Sequence, residues 1–259
     1  MRYTEQPQIT REKGSQSDLC GDDSEHLGIR SFIIHSVIGN GSFGEVYLVE
    51  KKSTPKIYYA MKVLDKNRVR QENLSRYVIT ERKVLSLINH PFITRLRFAF
   101  QNSHFLFLIM DYYPGGTLAD YLARDRVFSE RRARLYISEM VLAIEELHRH
   151  DIIYRDLKPE NIVLDAEGHA LLIDFGLSKE GITQISRGAK SFCGSCAYLA
   201  PEMLRKKGHG KALDWYLLGV VLYELLIGTP PYYSHNQDEL FDNILNVELK
   251  LPASLSEDA

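Results

Sequence analysis

The chain has 259 residues, 44% hydrophobic and 25% charged, with a formal net charge of −2. That is ordinary globular composition, enough for one large domain or two modest lobes, and the near-neutral balance argues against nucleic acid or an anionic membrane as the main partner. Three cysteines, Cys20, Cys193 and Cys196, exclude a disulfide framework and point to a reducing compartment.

Residues 1–28 are rich in Gln, Ser, Asp and Glu and read as a flexible extension. No apolar run follows the N-terminal charges, so no signal peptide is visible. The longest apolar run, Trp215 to Ile227, holds Glu224 and is too short to cross a bilayer. A soluble cytoplasmic protein is expected, with access to the nucleus left open.

Phe32 to Ile38 and Val46 to Glu50 read as strands joined by Gly39-Asn40-Gly41-Ser42-Phe43-Gly44. Dinucleotide-binding folds share the G-x-G-x-x-G spacing, but there the glycines open a helix, whereas here Val46, Tyr47 and Val49 favour a second strand. Glycines at such a tip let backbone N–H groups approach phosphates with no Cβ in the way. Ile57 to Leu64 is another strand, with Lys62 among apolar residues; a lysine there can snorkel from a sheet edge or serve a site. From Gln71 to Asn89, Leu74, Val78, Leu85 and Ile88 mark one helical face, and Glu81 falls on it. An acid on a buried stripe is costly unless a cation meets it, and Lys62 is the natural candidate.

Phe105 to Met110 fits a buried strand and runs into Asp111-Tyr112-Tyr113-Pro114-Gly115-Gly116, a break suited to a hinge. Ser129 caps a helix to about His148, with Ala133, Ile137, Met140, Val141, Ile144 and Leu147 on one side. Val163-Leu164 and Leu171-Leu172-Ile173 supply two short strands around Asp165-Ala166-Glu167-Gly168. Ala212 to Gly228 is apolar almost all round and reads as a buried helix; Asp238 to Val247 suggests one more.

Chemistry concentrates in Tyr154-Arg155-Asp156-Leu157-Lys158-Pro159-Glu160-Asn161, followed by Asp174-Phe175-Gly176. The Pro rules out a regular helix, so these unlike charges sit on irregular backbone, which suits a site that must hold metal, phosphate and hydroxyl together. The two motifs resemble the catalytic loop and metal-binding motif of eukaryotic protein kinases. With Asn89-His90-Pro91-Phe92, Phe192-Cys193-Gly194 and Tyr198-Leu199-Ala200-Pro201-Glu202, the chain is similar to AGC-group serine/threonine kinases, in the branch of ribosomal-S6-kinase-like and protein-kinase-B-like enzymes.

The resemblance implies an α+β, two-lobed fold binding ATP in its cleft. A small antiparallel β lobe with one helix would cover about 29–110, a hinge about 111–116, and a large, mainly helical lobe about 117–259. It implies that Gly39, Asn40, Gly41, Ser42, Phe43 and Gly44 cover the ATP phosphates, and that Val46 and Ala60 pack on the adenine. Met110 would be the gatekeeper, and the backbone of Asp111 and Tyr113 would bond the adenine edge. Lys62, paired with Glu81, would bind the α- and β-phosphates. Asp156 would orient or deprotonate the acceptor hydroxyl, Lys158 would touch the transferring phosphate, and Asn161 and Asp174 would hold Mg²⁺. Asp214 would anchor the catalytic loop, while Glu160 and Glu224 would face basic substrate residues. Ser191 matches the activating phosphorylation position, with Arg155 and Lys179 as partners of its phosphate. Protein substrates with Ser or Thr acceptors and an upstream activating kinase follow; nucleic acid and membrane insertion do not.

There are departures from the family pattern. Thr117 replaces the usual Glu after the paired glycines, and Cys196-Ala197 replaces the usual Pro-Glu. About two further helices of the large lobe are expected beyond Ala259, which implies exposed apolar surface where they would pack. That leaves a silent, kinase-like binding module as the alternative to an enzyme. Cys193 and Cys196 lack the extra ligands of a zinc site and the following helix of a redox motif.

Overall fold

β-branched and aromatic residues between Phe32 and Asp111 build the first unit around one sheet. The computed structural model describes residues 8–11, 27–41, 44–189, 194–253 and 255–257. The chain divides into two units, Met1–Asn89 with Thr94–Tyr112, and His90–Ile93 with Tyr113–Ala259.

The first unit contains strands β1 (Gln8–Arg11), β2 (Phe32–Gly41), β3 (Gly44–Lys51), β4 (Tyr58–Asp65), β5 (Leu96–Gln101) and β6 (Phe105–Asp111). They form a six-stranded sheet in the order β1-β5-β6-β4-β3-β2. The five strands from β2 to β6 pair antiparallel. β1 joins β5 in parallel, and it lies within the segment expected to be a flexible extension. Backbone pairing at a sheet edge needs no apolar pattern, so composition carries no sign of it. One face is closed by Val49, Met61 and Ile109, all at 0% exposure, and by Phe100 stacked between Phe32 and Phe107 with ring centroids 5.9 and 4.9 Å away.

The stretch between β4 and β5 holds two helices, α1 (Lys66–Gln71) and α2 (Ser75–Leu87), so a short helix is added to the one expected. Asp65 starts α1 by accepting the N–H groups of Asn67 and Arg68 at 2.7 and 3.2 Å. Asn73, with φ of 55°, turns the chain before α2 begins. α2 buries Val78, Glu81, Val84 and Leu85; Val78, Glu81 and Leu85 belong to the expected stripe, Val84 is added to it, and Leu74 and Ile88 flank the helix as its N-cap and C-cap.

The second unit is mainly helical. It contains α3 (Leu118–Asp125), α4 (Glu130–Arg149), the short hairpin β7 (Ile162–Leu164) and β8 (Ala170–Leu172), α5 (Pro201–Leu204), α6 (Ala212–Ile227) and α7 (Gln237–Asn246). Ser129 caps α4 through the Arg132 N–H, and Met140, Ala143, Ile144 and Leu147 have no exposure against α6 and β8. Gly228, with φ of 92°, ends α6 in the left-handed conformation that glycine adopts at least cost. On α6 an apolar groove of about 370 Å³ stays open, lined by Trp215, Tyr216, Val220, Tyr223, Leu249 and Leu251. Among the described residues, no helix is long and apolar enough to cross a membrane.

Candidate active site

In the first unit, the hairpin of β2 and β3 brings Gly39, Asn40, Gly41 and Gly44 to its tip, with Gly41 opposite Gly44. Ser42 and Phe43 lie outside the described residues. A Cβ on Gly44 would stand 2.0 Å from the Val63 carbonyl oxygen, so only glycine fits there. Val46 lies opposite Lys62 across β3 and β4, and Ala60 lies opposite Met110 across β4 and β6. Register thus sets the glycine tip, the lysine and the two adenine-facing candidates on neighbouring strands.

Lys62 is 2% exposed and Glu81 0%, and Lys62 Nζ donates to Glu81 Oε1 at 2.6 Å. The strand lysine is therefore no edge residue snorkelling to water. Two desolvated ions are stable only together, so the pair ties α2 to β4 as strongly as the burial of either would resist. Asp111 uses its own N–H on the Arg95 carbonyl at 3.1 Å, and its carboxylate holds Arg97 in a two-point contact at 2.6 and 2.8 Å. Tyr113 begins the second unit's main segment and is half-buried.

In the second unit, Asp156 is 5% exposed, and three contacts fix its carboxylate. Lys158 Nζ stands 3.2 and 3.0 Å from its two oxygens, and Asn161 Nδ2 donates to Oδ2 at 2.8 Å. Burial pushes the Asp156 carboxyl above its ordinary range; Lys158 and Asn161 oppose this and the nearby Asp174 charge adds to it. Asn161 Nδ2 also donates to the Asp156 carbonyl at 2.8 Å, which commits the amide nitrogen and leaves Oδ1 to meet a cation. Lys158 Nζ further reaches Ser195 Oγ at 3.2 Å, so the loop touches the segment just before Tyr198.

The loop is held from beneath. Asp214 on α6, with 0% exposure, accepts the N–H groups of Tyr154 and Arg155 at 2.9 and 2.8 Å. His148 Nε2 meets the same carboxylate at 2.8 Å, its ring edge-on to Trp215. Arg155 and Asp174 adopt φ of 70° and 56°, a region that non-glycine residues rarely occupy. The cost, of order 1–3 kcal/mol each, persists only where surroundings over-determine the backbone. Here they do: Tyr154 packs on the buried Phe175 at 5.3 Å, Tyr154 OH donates to the Ile173 carbonyl, and Arg155 Nε donates to the Leu177 carbonyl at 2.7 Å.

Among the described residues, no group of three or more His, Cys, Asp or Glu could hold a metal ion. The expected donors, Asn161 Oδ1 and the Asp174 carboxylate, would be its only two protein ligands among the described residues. Two hard oxygen ligands suit a magnesium ion that keeps waters and takes phosphate oxygens, and would not make a dedicated protein cage.

The family profile described as "Protein kinase domain" matches residues 32–258. The chain belongs to the protein kinase family. Sgk1 of Homo sapiens, named a serine/threonine-protein kinase, is 44% identical over 245 residues, covering 94% of this chain and 56% of that protein. The sgk-1 kinase of Caenorhabditis elegans is 47% identical over 240 residues, with 92% of this chain and 51% of that protein covered. A RAC family serine/threonine-protein kinase homolog of Dictyostelium discoideum is 44% identical over 236 residues, at 91% and 53%. The chain spans about half the length of these relatives, and its place in the family is with the AGC type.

Some features of this kinase domain escaped the sequence reading. Thr117, where the family pattern has Glu, caps α3 in a reciprocal pair: its Oγ1 accepts the Asp120 N–H at 3.1 Å, and Asp120 Oδ2 accepts the Thr117 N–H at 2.9 Å. A threonine followed three residues on by an acid could have signalled that cap. Glu224 is engaged by the Tyr198 hydroxyl and pushed up by burial, so it is less open to a substrate than Glu160, which is exposed. His148 had no signal beyond its position at the end of α4. Cys196 is free and exposed, while its neighbour in the C-x-x-C, Cys193, and the candidate phosphosite Ser191 lie outside the described residues.

Proposed function

We propose that this chain transfers the γ-phosphate of ATP, with Mg²⁺, to Ser or Thr hydroxyls of protein substrates. The observation that carries the reading is Asp156, buried and raised in proton affinity while held at both carboxylate oxygens by Lys158 and Asn161. A carboxylate so poised accepts the hydroxyl proton as the oxygen attacks phosphorus and the bond to the departing ADP oxygen breaks. Lys158 meets the charge on the transferring group. Magnesium on Asn161 and Asp174 would neutralise phosphate charge. Gly39, Asn40, Gly41, Ser42, Phe43, Gly44 and Lys62 would bind the phosphates, with Glu81 orienting Lys62. Val46, Ala60, Met110, and the backbone of Asp111 and Tyr113 would hold the adenine.

Phosphorylation of Ser191 by an upstream kinase would activate the chain, with Arg155 and Lys179 receiving the phosphate. Glu160 would favour a basic residue in the substrate. Every side chain this chemistry requires is present, which favours transfer over a silent binding module. Transfer of labelled γ-phosphate from Mg-ATP to a basic serine peptide tests it. Label in the peptide that disappears on Asp156→Asn is the expected outcome; absence of label from the folded, nucleotide-binding chain would count against it.

A further inference from the structure

The two faces of α4 differ sharply. Its inner face buries Ala133, Tyr136, Met140, Ala143, Ile144 and Leu147. On the opposite side the helical period lines up Arg131, Arg134, Leu135, Ser138 and Leu142, all of them exposed. The outer ridge of a surface helix ordinarily mixes acids and bases that pair across one turn. This ridge has two cations, two leucines at 47% and 46% exposure, and no acid.

The carboxylates on the first turns of α4 and at the end of α3 are committed elsewhere. Glu130 accepts the Ser256 N–H at 2.8 Å and the Ser256 hydroxyl at 2.6 Å. Arg134 lies one turn from Glu130, yet acts on it only at longer range. Glu139 is turned inward, 4% exposed, where it accepts the Ala170 N–H at 2.7 Å and meets His169 at 2.6 Å. Asp125 is shared by Arg124 and Arg132, both at 2.7 Å. Arg132 leans away from the ridge, over the rings of Phe128 and Tyr121 at 4.0 and 4.9 Å from their centroids. Among the described residues, neither Arg131 nor Arg134 is part of an ion pair. Held apart in this way, the side chains leave a hollow. The cavity between Ser129, Arg131, Arg132, Arg134, Leu135 and Ser138 has a volume of about 550 Å³. The positive end of the α4 dipole lies at the same place and adds to the charge of the arginines.

We propose that this ridge of α4 docks an acidic segment of a partner protein, whose carboxylates meet Arg131 and Arg134 and whose apolar side chain lies on Leu135 and Leu142. Charge complementarity chooses the sign of the partner, because the arginines face solvent with no carboxylate of their own. The leucines choose its class. They alternate with the polar positions at helical spacing, which matches a peptide laid along the ridge and not a uniformly charged phosphate backbone. The ridge uses none of the residues assigned to phosphoryl transfer, so the docking and the transfer readings stand or fall separately.

The test is binding of a fluorescein-labelled peptide to the full chain, followed by anisotropy. The probe carries the pattern Glu-x-x-Glu-x-x-x-Leu, and a twin has lysines in place of the glutamates. The glutamate probe should bind, the lysine twin should not, and added salt should weaken binding because exposed charges are screened. Reversing both charges, Arg131→Glu with Arg134→Glu, should weaken binding about tenfold or more, and Leu135→Ala about threefold. Neutralising them, Arg131→Gln with Arg134→Gln, should give an intermediate loss, which guards against a reversed chain that folds poorly. Transfer to a basic peptide should be the same in all of these variants. Absence of binding, equal binding to the charge-reversed chain, or equal binding of the two peptides overturns the proposal. Self-association of the chain that depends on Arg131 and Arg134, seen by sedimentation, also overturns it, since the occupant is then a second copy.

Discussion

Glu81 in the first unit and Asp214 in the second are both carboxylates with no solvent exposure, and they are held in opposite ways. Glu81 meets a side-chain cation, Lys62, at 2.6 Å. Asp214 receives two backbone N–H groups and a histidine, all within 2.9 Å. A buried ion pair is a bond between two removable charges, and each is a liability without the other. A carboxylate that satisfies backbone donors is part of the loop's scaffold, and those donors stay when the acid goes. The first arrangement suits a lysine kept in place for a ligand; the second suits a loop whose backbone must not move.

The largest expected effect separates both holding acids from Asp156, the proposed base. Asp156→Asn should lower peptide phosphorylation by about 10²- to 10⁴-fold while the urea midpoint hardly changes. Next, Lys62→Met should cost about 3–5 kcal/mol in urea unfolding, because the buried Glu81 carboxylate loses the cation it meets at 2.6 Å. Adding Glu81→Leu should recover most of that stability without restoring transfer. Failure of the double variant to regain stability would break the contrast.

Asp214→Ala should cost about 3 kcal/mol by the same measurement, since the Tyr154 and Arg155 N–H groups lose their acceptor. No second side-chain change should rescue it, because the stranded donors belong to the backbone.

Two histidines sharpen the comparison through pH. His209 holds a proton in the folded state only below about 4, whereas unfolded it does so below 6.5. Between those values the unfolded chain binds more protons, so the protein should lose up to about 3 kcal/mol as pH falls through that window. His209→Gln should flatten that part of the curve. The smallest effect belongs to His169, whose Nδ1 meets the buried Glu139 at 2.6 Å and whose ring is half in solvent. The hydrogen bond to Glu139 raises its proton affinity, so its contribution is complete below 6.5 and fades as pH rises through the raised value. His169→Ala should remove that slight alkaline loss in a pH series of thermal midpoints, opposite in sign to the His209 effect.

How legible these features were depended on whether their signal was local. The β2, β3, β4 and β6 strands were readable because their apolar residues run continuously or alternate. β5 was not, although Leu96, Phe98, Ala99 and Phe100 lie in it, because a register shift between Leu96 and Phe98 breaks the period of two. β1 pairs in parallel with β5 at a sheet edge, a pairing that no residue pattern announces. Glu81 could be read as buried from its place on the α2 stripe, and the need for a cation then singled out Lys62. Thr117 was noticed as a departure from the family pattern, but the acid three residues on, which marks it as a cap, went unread.

The sequence by itself determined which reactive groups are present, Lys62, Asp156, Lys158, Asn161 and Asp174, and the periods that bury one face of each long element. Only the tertiary structure decided what meets each buried charge. Tyr154 and Arg155 find Asp214 about sixty residues away, and the backbone of His209 pairs with Ala189 from the preceding segment. A hydrophobic period reports that a position is desolvated, which is a local property. The partner that makes desolvation tolerable comes from another element, and no local pattern encodes it.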